Sequence, residues 1–274
     1  MTISLSYLDD LSRVRVALSD LPDGTVQVQR AANASATDAM WQRGIVRGGS
    51  ALPIESGSGQ IDDYEFFADV ATHYRVIDDE GVVLETGSIT PDLGGEVWIK
   101  SIKYPATNRA VRLVDRGEDV GRGSRSTVHA IVGRSVGVAT HDRRVGRRWT
   151  LHVMTAGPDH AEQAGELDII LAAGGDFFIH VPAALVGAVP GGYVAIDSEL
   201  VESRLYRGDP DAPRVFSIPC TSVAPPRPTV TGTLLTGATV LRLYGSGGAL
   251  ISAHPTGRSL LATMLDPDDL VVVD

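Results

Sequence analysis

The chain has 274 residues, 43% hydrophobic and 21% charged, with 30 Gly and 15 Pro. Such a composition suits two ordinary domains of short strands and tight turns better than long amphipathic helices. Net charge is −10, with fifteen acids against six bases over residues 1–92, fifteen of each over 93–224 and four against three over 225–274; an acidic first domain argues against a nucleic-acid partner, which needs a surplus of Lys and Arg.

Cys220 is the single cysteine, so no internal disulfide can form, and a buried inert thiol is its expected state. The N-terminus has no basic n-region and no apolar run approaches the roughly 18 residues of a membrane span. A soluble chain made inside a cell, without membrane insertion, is expected.

Residues 13–20 and 25–30 alternate polar and apolar residues on either side of Pro22-Asp23-Gly24, a pattern that reads as a β-hairpin with one wet face. Further strands are expected at 40–46, 61–67, 72–77 and 82–88, with Gly-rich or acidic turns every eight to twelve residues, the spacing of a β-sandwich. Trp41 and Tyr74 read as core residues, with an aromatic sugar platform as the sharper alternative.

The run Thr90-Pro91-Asp92-Leu93-Gly94-Gly95 breaks the pattern and marks a domain boundary, with a new core beginning at Glu96. Strands are then expected at 97–103, 110–115, 126–140, 149–155, 177–181, 192–205 and 214–223. One helix over 159–173 interrupts them, with Asp159 as N-cap, Glu162 as its capping-box partner and Gly174-Gly175 at its end. Its apolar face is Ala161, Ala164, Leu167, Ile170 and Leu171. The segment 141–148 reads as the basic tip of a long hairpin, and Arg143, Arg144, Arg147 and Arg148 are candidate contacts to a neighbouring copy.

After Pro225-Pro226-Arg227-Pro228, an extended linker, three ten-residue units share Thr/Ser-Gly-x-small-apolar-apolar. Their pairs Val240-Leu241, Leu250-Ile251 and Leu260-Leu261 are candidate docking residues, because units this short cannot hold a helical turn alone.

Residues 133–137 satisfy G-x-S-x-G, but strand-like sequence on both sides denies Ser135 the strand-to-helix turn of a nucleophile elbow. The seven histidines fall into no metal-binding spacing. The acids at 62–63, 78–80 and 266–269 complete no calcium loop and read as solvated turn residues. No glycine run opens a helix after a strand, so no nucleotide or other cofactor is expected.

Ile61-Asp62-Asp63-Tyr64-Glu65, then His73-Tyr74-Arg75-Val76 and the Gly81 turn, resemble strands E, F and G of a fibronectin type III domain. Glu96-Val97-Trp98-Ile99-Lys100-Ser101, Arg109-Ala110-Val111-Arg112-Leu113, Phe177-Phe178-Ile179-His180 and Phe216-Ser217-Ile218-Pro219 follow in an order similar to that of minor tail proteins of siphophages that infect actinobacteria. The resemblance implies a mainly β chain: a fibronectin-like sandwich over 1–92, a tail-tube-like β domain with one helix over 93–224, and an appendage over 225–274. It also implies a structural, non-enzymatic virion protein of the tail tip that binds copies of itself and other tail proteins. A receptor- or carbohydrate-binding module used in host adsorption is the alternative. Gly237, Gly247 and Gly257 stand where that family usually carries Trp, which removes large apolar anchors from the repeats.

Overall fold

The computed structural model describes residues 2–114, 120–122, 127–129, 138–140, 146–196, 198–205 and 212–226. The chain divides into two compact units, Met1–Val230 and Thr231–Asp274, and the described residues all lie in the first. This unit is mainly β, a sandwich followed by a six-stranded barrel.

Seven strands make the sandwich: β1 (Thr2–Leu8), β2 (Arg13–Ser19), β3 (Gly24–Ala31), β4 (Leu52–Ile54), β5 (Gly59–Asp63), β6 (Thr72–Ile77) and β7 (Val83–Ile89). One sheet has the order β1-β2-β5 and the other β4-β3-β6-β7, the three-on-four arrangement of a fibronectin type III domain. The alternation in β2 and β3 is real: Val14, Val16 and Leu18 from one strand, and Val26 and Val28 from the other, are buried. They do not form the expected hairpin. The two strands lie in opposite sheets and face one core, so the link between them crosses the sandwich, with Asp20 in the left-handed region and Leu21 buried behind it. The expected strand at 40–46 is instead a short helix, α1 (Asp38–Arg43), which still buries Trp41 beneath the Arg75 guanidinium.

The second part adds β8 (Val97–Ser101), β9 (Arg109–Leu113), β10 (Gly121–Arg122), β11 (Thr127–His129), β12 (Val138–Thr140), β13 (Arg147–Met154), α2 (His160–Ala172), β14 (Asp176–His180), β15 (Gly192–Ala195), β16 (Val201–Arg204) and β17 (Arg214–Ser222). Strands β13-β9-β8-β14-β15-β17 pair in that order, and the β13–β17 pairing closes the barrel. Its core takes Val97, Ile99, Leu151, Val153, Phe177, Ile179, Phe216, Ile218 and the buried Cys220. Ala164, Leu167 and Ile170 of α2 join this cluster, whereas Ala161 of the expected apolar face is exposed. Asp159 makes no side-chain cap; the start of the helix is tied instead by Gln163, whose amide donates to the Ala156 carbonyl and accepts from its N–H.

The expected long hairpin is rearranged. Thr127 pairs with Thr140 and His129 with Val138, so β11 and β12 form a sheet of their own and neither pairs with β13. Arg147 and Arg148 open β13, where Arg147 pairs with Arg122 and Arg148 with both Gly121 and Thr221; they belong to a strand, not a loop tip.

Candidate functional site

Strand β8 is buried along its whole length, because its two faces serve two cores. Val97 and Ile99 point into the barrel, while Trp98 joins the sandwich core together with Leu93. The core of the first module therefore crosses the boundary expected at residues 90–95. Lys100, 1% exposed, shares this seam. Its ammonium donates to the carbonyls of Ser12 (2.6 Å) and Tyr64 (2.9 Å) in the sandwich and to Nδ1 of His180 in β14 (2.8 Å), which uses all three of its donors. It also lies 4.5 Å from the centre of the Phe66 ring.

Beside it, Arg30 of β3 pairs with Asp63 (2.5 Å) and Glu65 (2.9 Å), and Arg47 pairs with Glu65 (2.7 Å). Tyr74 donates to Asp63 (2.8 Å) from within the sandwich, and Tyr193 of β15 donates to Glu65 (2.6 Å) from the barrel. Gly44 is the residue that permits Arg30 this position: a Cβ there would lie 1.9 Å from the Arg30 carbonyl oxygen. Asp69, in the left-handed region, adds a clip by accepting from the N–H of Leu93 (3.0 Å) and of Ala183 (2.7 Å).

Burial alone would strip the charge from Arg30, but Asp63 and Glu65 outweigh it and hold the guanidinium protonated. Burial would likewise raise Glu65; Arg30, Arg47 and the Tyr193 hydroxyl pull its carboxyl below the usual carboxylate range. Burial pushes Lys100 well below the ordinary ammonium value, with Asp63 and Glu65 opposing. Burial, then the charges of Lys100 and Arg30, push His180 well below the ordinary imidazole value. A neutral His180 accepting at Nδ1 fits that ordering, and its Nε2 carries the proton. This nitrogen is buried, and a hydrogen bond between the ring and the Phe66 backbone opposes the downward shift.

Above the charged seam opens a groove of about 1160 Å³, with Glu65, Arg30, His180 and Tyr193 among the residues that line it. Its lips carry Met40, Phe67, Val70, Val120 and Val186, which are 37–71% exposed. Arg43, Arg122 and Arg147 line it as well, all exposed, and none has an ion-pair partner among the described residues.

Of the residues singled out from sequence, Arg147 borders this groove and Arg148 lies next to it in β13. Arg143, Arg144, Ser135 and the repeat pairs at 240–241, 250–251 and 260–261 lie outside the described residues. The acids at 62–63 are not solvated turn residues: Asp62 pairs with Arg13 and Arg15, and Asp63 is 1% exposed within the seam. Among the described residues no three His, Cys, Asp or Glu side chains cluster as a metal site. Sequence reasoning missed Lys100, His180 and Glu65. The available signal was β8 itself, apolar at adjacent positions on both faces with one lysine among them.

No family model matches this sequence, and no curated protein matches it significantly.

Proposed function

We propose that this chain is a structural subunit of a siphophage tail tip, a minor tail protein that works in the virion by binding copies of itself and other tail proteins. The observation that supports this reading most is the way its two β modules are joined. A fibronectin-type sandwich and a closed barrel pack on opposite faces of the barrel strand β8 and meet in a buried ionic seam, and the groove above them displays apolar side chains to solvent. A stiff two-module unit with an unfilled apolar surface suits assembly. Glycan binding in host adsorption is served less well, because a sugar platform uses exposed aromatic faces and Trp41, Trp98, Trp149 and Tyr74 are all buried.

Mass spectrometry of purified tailed particles tests the proposal. The chain should be present in a fixed copy number and cross-link to other tail proteins. Its absence from particles would overturn the tail assignment.

A further inference from the structure

The turn between β6 and β7 reads Asp78-Asp79-Glu80-Gly81-Val82-Val83. It is well formed: Asp78 accepts from the Val82 N–H through its carboxylate (2.7 Å), and Gly81 supplies a φ of 83°. Residues 79–83 are all exposed, Val82 at 54% and Val83 at 48%. Two adjacent valines held in water beside two free-standing carboxylates are the chemical complement of the seam groove, which offers Met40, Phe67, Val70 and Val186 between Arg43, Arg122 and Arg147.

The two surfaces sit at opposite ends of the sandwich. Ala31 pairs with His73, and Thr72 with Ile89, at the groove end; Gln27 pairs with Ile77, and Ile77 with Val83, at the turn end. Six residues of β6 separate them by roughly 20 Å at about 3.3 Å per residue. A copy cannot fold its own turn into its own groove, so the partner must be another molecule.

We propose that the β6–β7 turn of one copy docks in the seam groove of the next, a head-to-tail contact between second copies of this chain. Val82 and Val83 pack against the apolar lips, and Asp79 and Glu80 meet Arg122 and Arg147. A contact that joins two different patches generates rings or filaments rather than closed two-fold dimers. A turn of this size buries well under the roughly 1,200 Å² of a stable interface, so each contact is weak and association depends on concentration. The proposal deepens the assembly reading above and rests on it only in requiring self-contact. It is tested on the purified chain, whereas the tail assignment is tested in particles.

The experiment is sedimentation velocity over a wide concentration range. The parent chain should associate as concentration rises. A turn variant (Asp79→Lys with Glu80→Lys) and a groove variant (Arg122→Glu with Arg147→Glu) should each stay monomeric alone, with association at least about tenfold weaker, and should associate when mixed. All four positions are exposed, and unchanged near-ultraviolet circular dichroism checks that the folds survive. In a second measurement, Val82→Cys and Val186→Cys proteins are mixed under mild oxidation. Cross-links between unlike variants should dominate, since the native Cys220 is buried. A parent chain that stays monomeric throughout, half-swapped variants that associate alone like the parent, or cross-links that favour like pairs would each overturn the proposal.

Discussion

In the barrel, Leu151, Val153, Phe177, Ile179, Phe216 and Ile218 are each at most 2% exposed and belong to one apolar cluster that also takes in residues of α2. The seam is nearly as dry, yet it holds Arg30, Asp63, Glu65, Lys100 and His180. Apolar contact is non-directional and scales with area, so it holds a module together without dictating how that module meets another. Ion pairs and hydrogen bonds from a buried ammonium are directional, and their desolvation cancels much of their net contribution. The contrast teaches that stability resides in the cores and the angle between modules resides in the seam.

Breaking the barrel core should have the largest effect. Phe216→Ala removes a fully buried ring and should cost about 3–5 kcal/mol, read as a lowered urea midpoint. An effect under 1 kcal/mol would show that the ring is not part of the load on the core. Lys100→Met should cost less, about 1–3 kcal/mol, because it leaves the Ser12 and Tyr64 carbonyls without a donor. Its more telling result is qualitative: a single thermal transition in the parent should split into two as the modules uncouple. A single, unshifted transition in the variant would place the coupling elsewhere.

Acid sharpens the same comparison. His180 is held below its ordinary value of 6.5, so the unfolded chain binds a proton that the folded chain refuses. The stability this contributes is complete above about pH 6.5 and is lost as pH falls below it. Glu65, held below 4.5, contributes stability present above that value and lost on further acidification. The melting temperature should therefore fall in two stages, and His180→Phe should flatten the first while leaving the second. An unchanged first stage would assign it to another group. Smallest of all, Asp38→Ala breaks an ion pair to Arg75 whose carboxylate is 88% exposed, and should shift stability by under about 0.5 kcal/mol in a denaturant titration.

The legible parts of the fold were those written in local periodicity. The strand expected at 72–77 is β6 to the residue, and the helix over 159–173 appears as α2. Periodicity reports which face of a strand is buried, not which strand lies beside it; this is why β2 and β3 were recognisable as strands and misread as a pair. Trp41 carried a strand-like neighbourhood into a helical turn for the same reason, since burial of one large ring satisfies either conformation. The seam was illegible because its partners are remote in sequence: Lys100 reaches residues 88, 36 and 80 positions away. Glu65 and Asp63 carry no local mark that separates a buried carboxylate from one in water.

The placement of Leu93 and Trp98 in the sandwich core bears on how the protein is made. Synthesis runs from the N-terminus at about 5–20 residues per second, so all seven sandwich strands leave the ribosome before the two residues that seal their core. The nascent sandwich waits with an open apolar end, and with Asp63 and Glu65 lacking the Lys100 charge that lies near them in the finished seam. A fragment ending at Asp92 reproduces that waiting state permanently: it keeps every strand of the first module and lacks the lid of its core.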